Sequence, residues 1–169
     1  MRHAQRFASL TLLVAATAFA AQAHARSDSS FLKEAAHAGA AEIEASKLAQ
    51  TKAKNADVKA FADSMVADHT KVADELKALA ATKKVKLPEG PSVKQKAEIK
   101  LIDAGDNDKF DERYANHFGI KAHQATIELF EKASLEAKDP EIKAWAQKTL
   151  PGLRHHLEMA HALTAVTKK

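Results

Sequence analysis

The sequence predicts an all-α protein, a four-helix bundle with a long connection between its second and third helices. Two observations favour this fold class. From Phe31 onward the chain is dense in Ala, Leu, Lys and Glu, which are strong helix formers. Glycine and proline, which end or bend helices, number only five and four in 169 residues and fall in a few places. Long segments of helical composition therefore make up most of the chain.

The first 25 residues have the features of a cleaved secretory signal peptide. Arg2 and Arg6 are positively charged, and residues 7–20 form an apolar run that is too short for a stable membrane span. Ala23 and Ala25 place small residues at both positions that a leader peptidase reads. We expect cleavage after Ala25, with Ala23 as the alternative site, and a location in the periplasm or cell envelope.

The remaining residues, 26–169, are expected to form a single domain. The chain has no cysteine, which excludes disulfides, zinc ribbons, iron–sulfur clusters, a cysteine nucleophile and covalent c-type haem. Removing Arg2 and Arg6 from the 26 basic residues leaves 24 against 22 acidic ones, a net charge of +2. These charges are interspersed along the chain, so we expect no nucleic-acid partner.

Start and stop signals divide the mature chain into four long helices and one short helix. Asn55 and Asp57 are cap candidates in the first break, and Asp139-Pro140 combines an N-cap with a proline at the first helical position. Pro151 falls inside the last helix, where we expect a bend. The long helices are predicted at about 31–54, 57–83, 108–137 and 140–166, and the short one at about 93–102.

Each long helix has an apolar stripe at helical spacing, and each stripe is interrupted once by a polar residue. The interrupting residues are Glu42, His69, His123 and His156. All four lie within about one turn of the midpoint of their helix, a distance of about 5 Å along the axis. We therefore expect a carboxylate and three imidazoles to meet at mid-height in the core.

Nitrogen and oxygen donors of this kind form sites for divalent transition metals, here iron, copper or zinc. The alternative is a hydrogen-bonded network that fixes the helix register without a metal. Asp68 is a candidate to orient an imidazole from outside the ligand set, and Tyr114 and Met65 are candidates to line the site. Both of the latter also fit as ordinary core residues.

These residues, in this order and spacing, resemble domain-of-unknown-function family 4142. The resemblance rests on 41–44 (Ala-Glu-Ile-Glu), 59–62 (Lys-Ala-Phe-Ala), Met65, Asp68-His69, Phe110-Asp111, Tyr114, His123, Leu150-Pro151 and His156-Leu157. It implies a ferritin-like bundle in the bacterial periplasm or envelope, with the long connection crossing from one end to the other. Ferritin-like di-iron proteins carry Glu-x-x-His on two helices. Here Val66 and Leu153 stand where those glutamates would be, which argues against a di-iron oxidase.

Two functions remain open from the sequence. One is an exported metal-binding protein for storage, resistance or redox defence. The alternative is a non-catalytic envelope interaction or stress-response module whose polar core is purely structural, with association to a membrane surface as one expectation. The chain has no Gly-x-Ser-x-Gly elbow, phosphate-binding loop or His-Glu-x-x-His motif, so the sequence favours a binding protein over an enzyme.

Overall fold

The computed structural model describes the backbone from Ala8 to Thr167 and the side chains from Ser27 to Thr167. Over this range the protein is all-helical and contains no β-strand, which confirms the predicted fold class at that level. The side chains of the predicted leader, residues 1–25, lie outside the described part. Within that part, no helix combines the length and apolar character needed to cross a lipid bilayer.

The first two helices are α1 (Ala8–Lys52) and α2 (Ala56–Thr82). Helix α1 starts upstream of the predicted residue 31, because residues 8–30 contain no glycine or proline to interrupt a helix. Asn55 caps α2, since its side chain accepts hydrogen bonds from the backbone N–H groups of Asp57 and Val58. The chain therefore turns back on itself within a few residues.

The long connection contains α3 (Val93–Ala104). Its start is a capping box: the Ser92 side chain accepts from the Gln95 backbone, and the Gln95 side chain accepts from the Ser92 backbone N–H. Ahead of it, Gly90 adopts a φ of +97°, and its carbonyl accepts a hydrogen bond of 2.8 Å from His37 Nδ1 on α1. This bond ties the connection to α1.

The third long helix is continuous over residues 110–136 but changes its winding. After a 3₁₀ turn (Asn107–Lys109), it consists of α4 (Phe110–Tyr114), a π-helical segment (Ala115–Ala122) and α5 (His123–Glu136). We refer to residues 115–122 as the π segment. Such segments are rare and often occur at functional sites, because the wider winding changes the direction of the side chains that follow.

The last helix is α6 (Pro140–Thr167), which contains Pro151. Asp139 caps it, because its Oδ1 accepts from the backbone N–H groups of Glu141 and Ile142. The turn before α6 is tied to the start of the domain by Asp28, whose buried carboxylate accepts from the backbone N–H groups of Lys138 and Asp139. Residue Asp28 of α1 and this turn are thereby held together.

The core consists of two apolar clusters. The first, which we call the tyrosine cluster, includes Ala45, Val58, Phe61, Met65, Phe110, Tyr114, Phe118, Ala160 and Leu163. The second, the tryptophan cluster, includes Phe31, Leu32, Leu76, Phe130, Ile142, Trp145 and Leu153. The four polar residues singled out by the sequence belong to neither cluster, and His69, His123 and His156 each separate the two clusters along their own helix.

The order of the clusters along the chain gives the direction of each helix. Helices α1 and α6 pass from the tryptophan cluster to the tyrosine cluster, whereas α2 and helix 110–136 pass the other way. Helix α2 therefore ends near the tryptophan cluster, and helix 110–136 begins near the tyrosine cluster. The connection that contains α3 crosses from one end of the core to the other.

The π segment and α6 approach each other closely at Gly119. A Cβ atom added to Gly119 would lie 2.9 Å from the Cβ of Ala160, a distance too short for two carbon atoms. The glycine thus brings the backbone before His123 against the helix that carries His156. His123 lies four residues after Gly119 and His156 four residues before Ala160, and their ring centroids are 5.5 Å apart.

We expect Gly119→Ala to destabilise the protein by about 1–3 kcal/mol, because the backbones must move apart to accept the methyl group. Gly152→Ala is the matched control, since Gly152 is exposed on α6 and an added Cβ would meet nothing within 4 Å. This control should instead stabilise the helix by about 0.5–1 kcal/mol. Urea unfolding midpoints measure both changes, and equal midpoints for the two variants would contradict the close approach.

Candidate metal centre

Glu42, His69, His123 and His156 lie together between the two apolar clusters, and we call them the polar layer. Their exposed fractions are 2%, 2%, 1% and 5%, so solvent satisfies almost none of their polar atoms. Burying an unpaired carboxylate or imidazole is costly, and each of these groups needs partners within the protein. The partners of each side chain therefore determine what the layer can do.

The three imidazoles face one another. One ring nitrogen from each of His69, His123 and His156 lies within 4.8 Å of the corresponding nitrogens of the other two. The ring centroids are 5.2–5.5 Å apart, and no two rings stack in parallel. The structure thus brings three of the four predicted ligands into one group.

Glu42 lies beside this group. Its Oε2 is 3.0 Å from His69 Nδ1, an ion-pair distance. Its Oε1 is 3.7 Å from His123 Nδ1 and accepts a long hydrogen bond of 3.4 Å from Thr126 Oγ1. Glu42 therefore contacts the outward nitrogens of two imidazoles.

Charge and burial act in opposite directions on the Glu42–His69 pair. Burial raises the pKa of the Glu42 carboxyl, but the nearby imidazoles of His69 and His123 outweigh it and lower the pKa from 4.5 to about 2. Burial likewise lowers the pKa of His69, but the Glu42 carboxylate outweighs it and raises the pKa above 6.5. Each partner favours the charged form of the other.

The π segment sets the orientation of His123. At the transition to α5, the backbone N–H of His123 donates to the carbonyl of Ile120. The Nδ1 atom of the His123 ring forms a hydrogen bond of 2.9 Å with the carbonyl of Phe118. Because a carbonyl only accepts, Nδ1 donates this hydrogen bond, and Nε2 is the nitrogen left to bind a ligand.

His156 is oriented by Asp68 of α2. Its Nε2 lies 3.0 Å from Asp68 Oδ2, and the Asp68 side chain is 59% exposed. Burial lowers the pKa of His156, and the neighbouring imidazoles act in the same direction, which outweighs the Asp68 hydrogen bond. His156 therefore stays neutral with its proton on Nε2, and Nδ1 has the free lone pair.

One nitrogen of each ring has no hydrogen-bond partner in the described part of the chain: His69 Nε2, His123 Nε2 and His156 Nδ1. The other nitrogen of each ring faces a carboxylate or a backbone carbonyl. Metal-binding histidines have this same arrangement, in which one nitrogen binds the ion and the other donates to an orienting group. The residue types and their outer partners therefore fit a transition metal ion.

The two residues predicted to line the site, Tyr114 and Met65, lie near it but interact with other residues. The Tyr114 hydroxyl makes a buried hydrogen bond of 2.8 Å with Ser46, one turn beyond Glu42 on α1. Burial raises the pKa of Tyr114, so this phenol stays protonated. Met65 packs in the tyrosine cluster, one turn before His69. Neither side chain makes a hydrogen bond with the polar layer in the part of the chain that the structure describes.

Two partners of the polar layer were not found from the sequence. Thr126 lies three residues after His123 on the same buried face, and this spacing was a usable signal. The Phe118 carbonyl is a backbone group, and its availability depends on the π segment, which has no sequence signature. The sequence also placed Asp68 next to His69, whereas its hydrogen bond goes to His156.

Fold and site together define an all-helical protein with a buried three-histidine group oriented by carboxylates and a carbonyl. The chain belongs to the family described as "Domain of unknown function (DUF4142)", whose model matches residues 14–163. Neither a curated protein nor a solved structure matches the chain. The family resemblance expected from the sequence is thereby confirmed.

Proposed function

We propose that this protein binds one divalent transition metal ion through His69, His123 and His156. Two observations carry this proposal: one ring nitrogen from each histidine lies within 4.8 Å of those of the other two, and each buried ring has one nitrogen without a hydrogen-bond partner among the described residues. Three buried ring nitrogens without hydrogen-bond partners are costly unless a cation or donor satisfies them, and at His69 the ion would displace the proton that Glu42 favours. A metal ion satisfies all three at once.

The ligand set favours iron, copper or zinc. Imidazole suits all three metals, and the chain contains no thiolate that would select further. Three histidines leave one coordination position open, as in metal sites that bind water or a small molecule. Such a position fits storage, resistance or redox defence, the roles expected from the sequence.

In this proposal Glu42 orients and polarises the His69 ring. The sequence alone predicted Glu42 as a direct ligand, but its carboxylate faces the Nδ1 atoms of His69 and His123 rather than their free nitrogens. Asp68 has the same role towards His156. A negative charge behind an imidazole makes its free nitrogen a stronger donor.

For the fold we propose a ferritin-like four-helix bundle formed by residues 26–169. The directions of the four long helices, and the connection that crosses between their ends, support this arrangement. A di-iron centre is disfavoured because Val66 and Leu153 replace the glutamates of the two Glu-x-x-His motifs. The signal-peptide pattern at 1–25 supports export to the periplasm or envelope, where a metal-binding protein encounters metal ions directly.

Equilibrium dialysis of the metal-free protein against Zn²⁺, Cu²⁺ and Fe²⁺ tests the proposed function. We expect one ion per chain for at least one of these metals, and a higher melting temperature with that metal. Linkage predicts a stabilisation of about 2.7 kcal/mol at a free metal concentration one hundred times the Kd. Less than one ion per chain with all three metals would overturn the proposal and favour the purely structural polar core.

Asp68→Ala should weaken metal binding by about tenfold to a hundredfold, because His156 loses the group that orients it. Competition with a chelator of known affinity measures the change. Asp74→Ala is the matched control, since Asp74 is an exposed aspartate on the same helix. The metal affinity of this variant should equal that of the wild type. If both variants bind equally well, Asp68 has no orienting role.

A further inference from the structure

A cleft of about 550 Å³ opens beside the polar layer, between α1, the start of α3 and helix 110–136. Its inner wall includes the buried residues Glu42 and Thr126, and its outer walls include Glu34, His37, Glu98 and His117. At about 30 Å³ per water molecule, an ion with six waters occupies roughly 200 Å³. The cleft is therefore wide enough for a hydrated metal ion.

The outer walls of the cleft provide oxygen and nitrogen donors along its length. His117 Nε2 lies 3.6 Å from Glu98 Oε2, which pairs a ring on the π segment with a carboxylate on α3. His37 uses Nδ1 to bond the Gly90 carbonyl, so its other nitrogen is available to a ligand. Imidazole suits iron, copper and zinc, and carboxylates also bind divalent cations, so these side chains would hold such an ion in the cleft.

Charges of both signs line the outer part of the cleft, whereas the charged residue of its inner wall is a carboxylate. Lys94 and Lys121 line it with the carboxylates, and Lys94 Nζ lies 3.7 Å from Glu98 Oε1. At the inner end the charged residue is Glu42, which is 2% exposed and lies 3.0 Å from His69 Nδ1. Water screens a buried carboxylate less than a solvated one, so Glu42 attracts a cation more strongly than the outer carboxylates do once His69 is neutral.

We infer that this cleft is the route by which the metal ion reaches the three histidines, with His117 and Glu98 as a transient outer binding station. The inference rests on the proposed function of the polar layer. Glu42 then has two roles, since the carboxylate that orients His69 also forms the inner end of the route. The polar layer has a second contact with the surface at Asp68, which provides the competing route.

Stopped-flow mixing of metal-free protein with Zn²⁺ in the presence of a colorimetric zinc indicator tests the route. Ala125→Trp fills the cleft from an exposed position on α5, and it should slow zinc uptake by about tenfold or more. Ala144→Trp is the control, since it adds the same ring at an exposed position of α6 outside the cleft. Both variants should still bind one zinc ion per chain at equilibrium.

A second pair of variants tests the outer station by charge alone. Glu98→Gln removes a cleft carboxylate without adding bulk, and it should slow zinc uptake by about tenfold at low salt, with a smaller effect at high salt. Glu44→Gln removes an exposed carboxylate of α1 outside the cleft and should leave the rate unchanged.

The possible results distinguish a failure of the proposed entry route from a failure of the proposed metal site. One zinc ion per chain with equal uptake rates for Ala125→Trp and Ala144→Trp overturns the route and leaves the metal site intact. The route is also overturned if Asp68→Ala changes the uptake rate while both cleft variants behave like their controls, because entry then occurs on the α2 side. Failure of the wild type to bind zinc, copper or iron overturns both proposals.

Discussion

Replacing His156 by alanine should weaken metal binding by at least about a hundredfold. Loss of an orienting residue alone costs about tenfold to a hundredfold in affinity, and loss of a ligand removes a metal–nitrogen bond as well. The remaining histidines, His69 and His123, cannot complete a three-nitrogen site. Chelator competition at pH 7 measures the affinity, and circular dichroism verifies that the variant is folded.

His155 provides an unusually close control for this experiment. It is the preceding residue on α6, has the same side chain and is exposed, so His155→Ala should bind metal like the wild type. His69→Ala should behave like His156→Ala, since each ring supplies one nitrogen to the group. Equal affinities for His155→Ala and His156→Ala would show that metal binds outside the polar layer.

Glu42→Gln should destabilise the metal-free protein by about 3 kcal/mol near pH 5.5. A pKa lowered from 4.5 to about 2 corresponds to a stabilisation of this size, and breaking a buried ion pair costs a similar amount. The amide keeps the shape of the carboxylate but not its charge. The variant therefore measures the electrostatic part of the interaction with His69.

The pH dependence of this effect follows from the two pKa shifts. Glu42 has a lowered pKa, so its stabilisation is present above pH 4.5 and is lost as pH falls towards 2. His69 has a raised pKa, so its stabilisation is present below pH 6.5 and is lost as pH rises through the folded-state pKa. The difference in stability between wild type and Glu42→Gln should be largest between about pH 4.5 and 6.5.

Urea unfolding of the metal-free proteins at several pH values between 3 and 9 measures this difference. Glu44→Gln controls for the loss of a glutamate from α1, and it should change stability by less than about 0.5 kcal/mol at every pH. A difference that stays constant across the range would mean that Glu42 and His69 do not stabilise each other's charged forms.

The order of helices and the identity of the polar layer are local properties of the sequence. Periodic apolar stripes, together with cap residues such as Asn55 and Asp139, are visible without knowledge of the tertiary structure. The stripe on α2, for example, includes Val58, Phe61 and Met65, all of which are buried. A polar residue on such a stripe is visible for the same reason, which is how His69 was found.

Features that depend on contacts between helices could not be predicted from local sequence patterns. The π segment contacts α6 at Gly119, and no pattern in the sequence distinguishes it from the α-helical residues on either side. The cleft between α1, α3 and helix 110–136 depends on where the long connection crosses the core, which spacing alone does not determine.

The hydrogen-bond and ion-pair partners of each histidine also could not be predicted from the sequence. Helical spacing shows that His69, His123 and His156 face the core, but it does not determine which nitrogen faces which neighbour. That choice depends on the rotation of each helix about its own axis and on the ring orientation. The three free nitrogens, on which the metal proposal depends, were therefore visible only in three dimensions.

Anomalous X-ray scattering from crystals of the metal-loaded protein tests the central claim most directly. We predict one strong anomalous peak per chain, within about 2.0–2.3 Å of His69 Nε2, His123 Nε2 and His156 Nδ1. Stoichiometric metal bound at any other position, or no peak in the polar layer at saturating metal, would contradict the account.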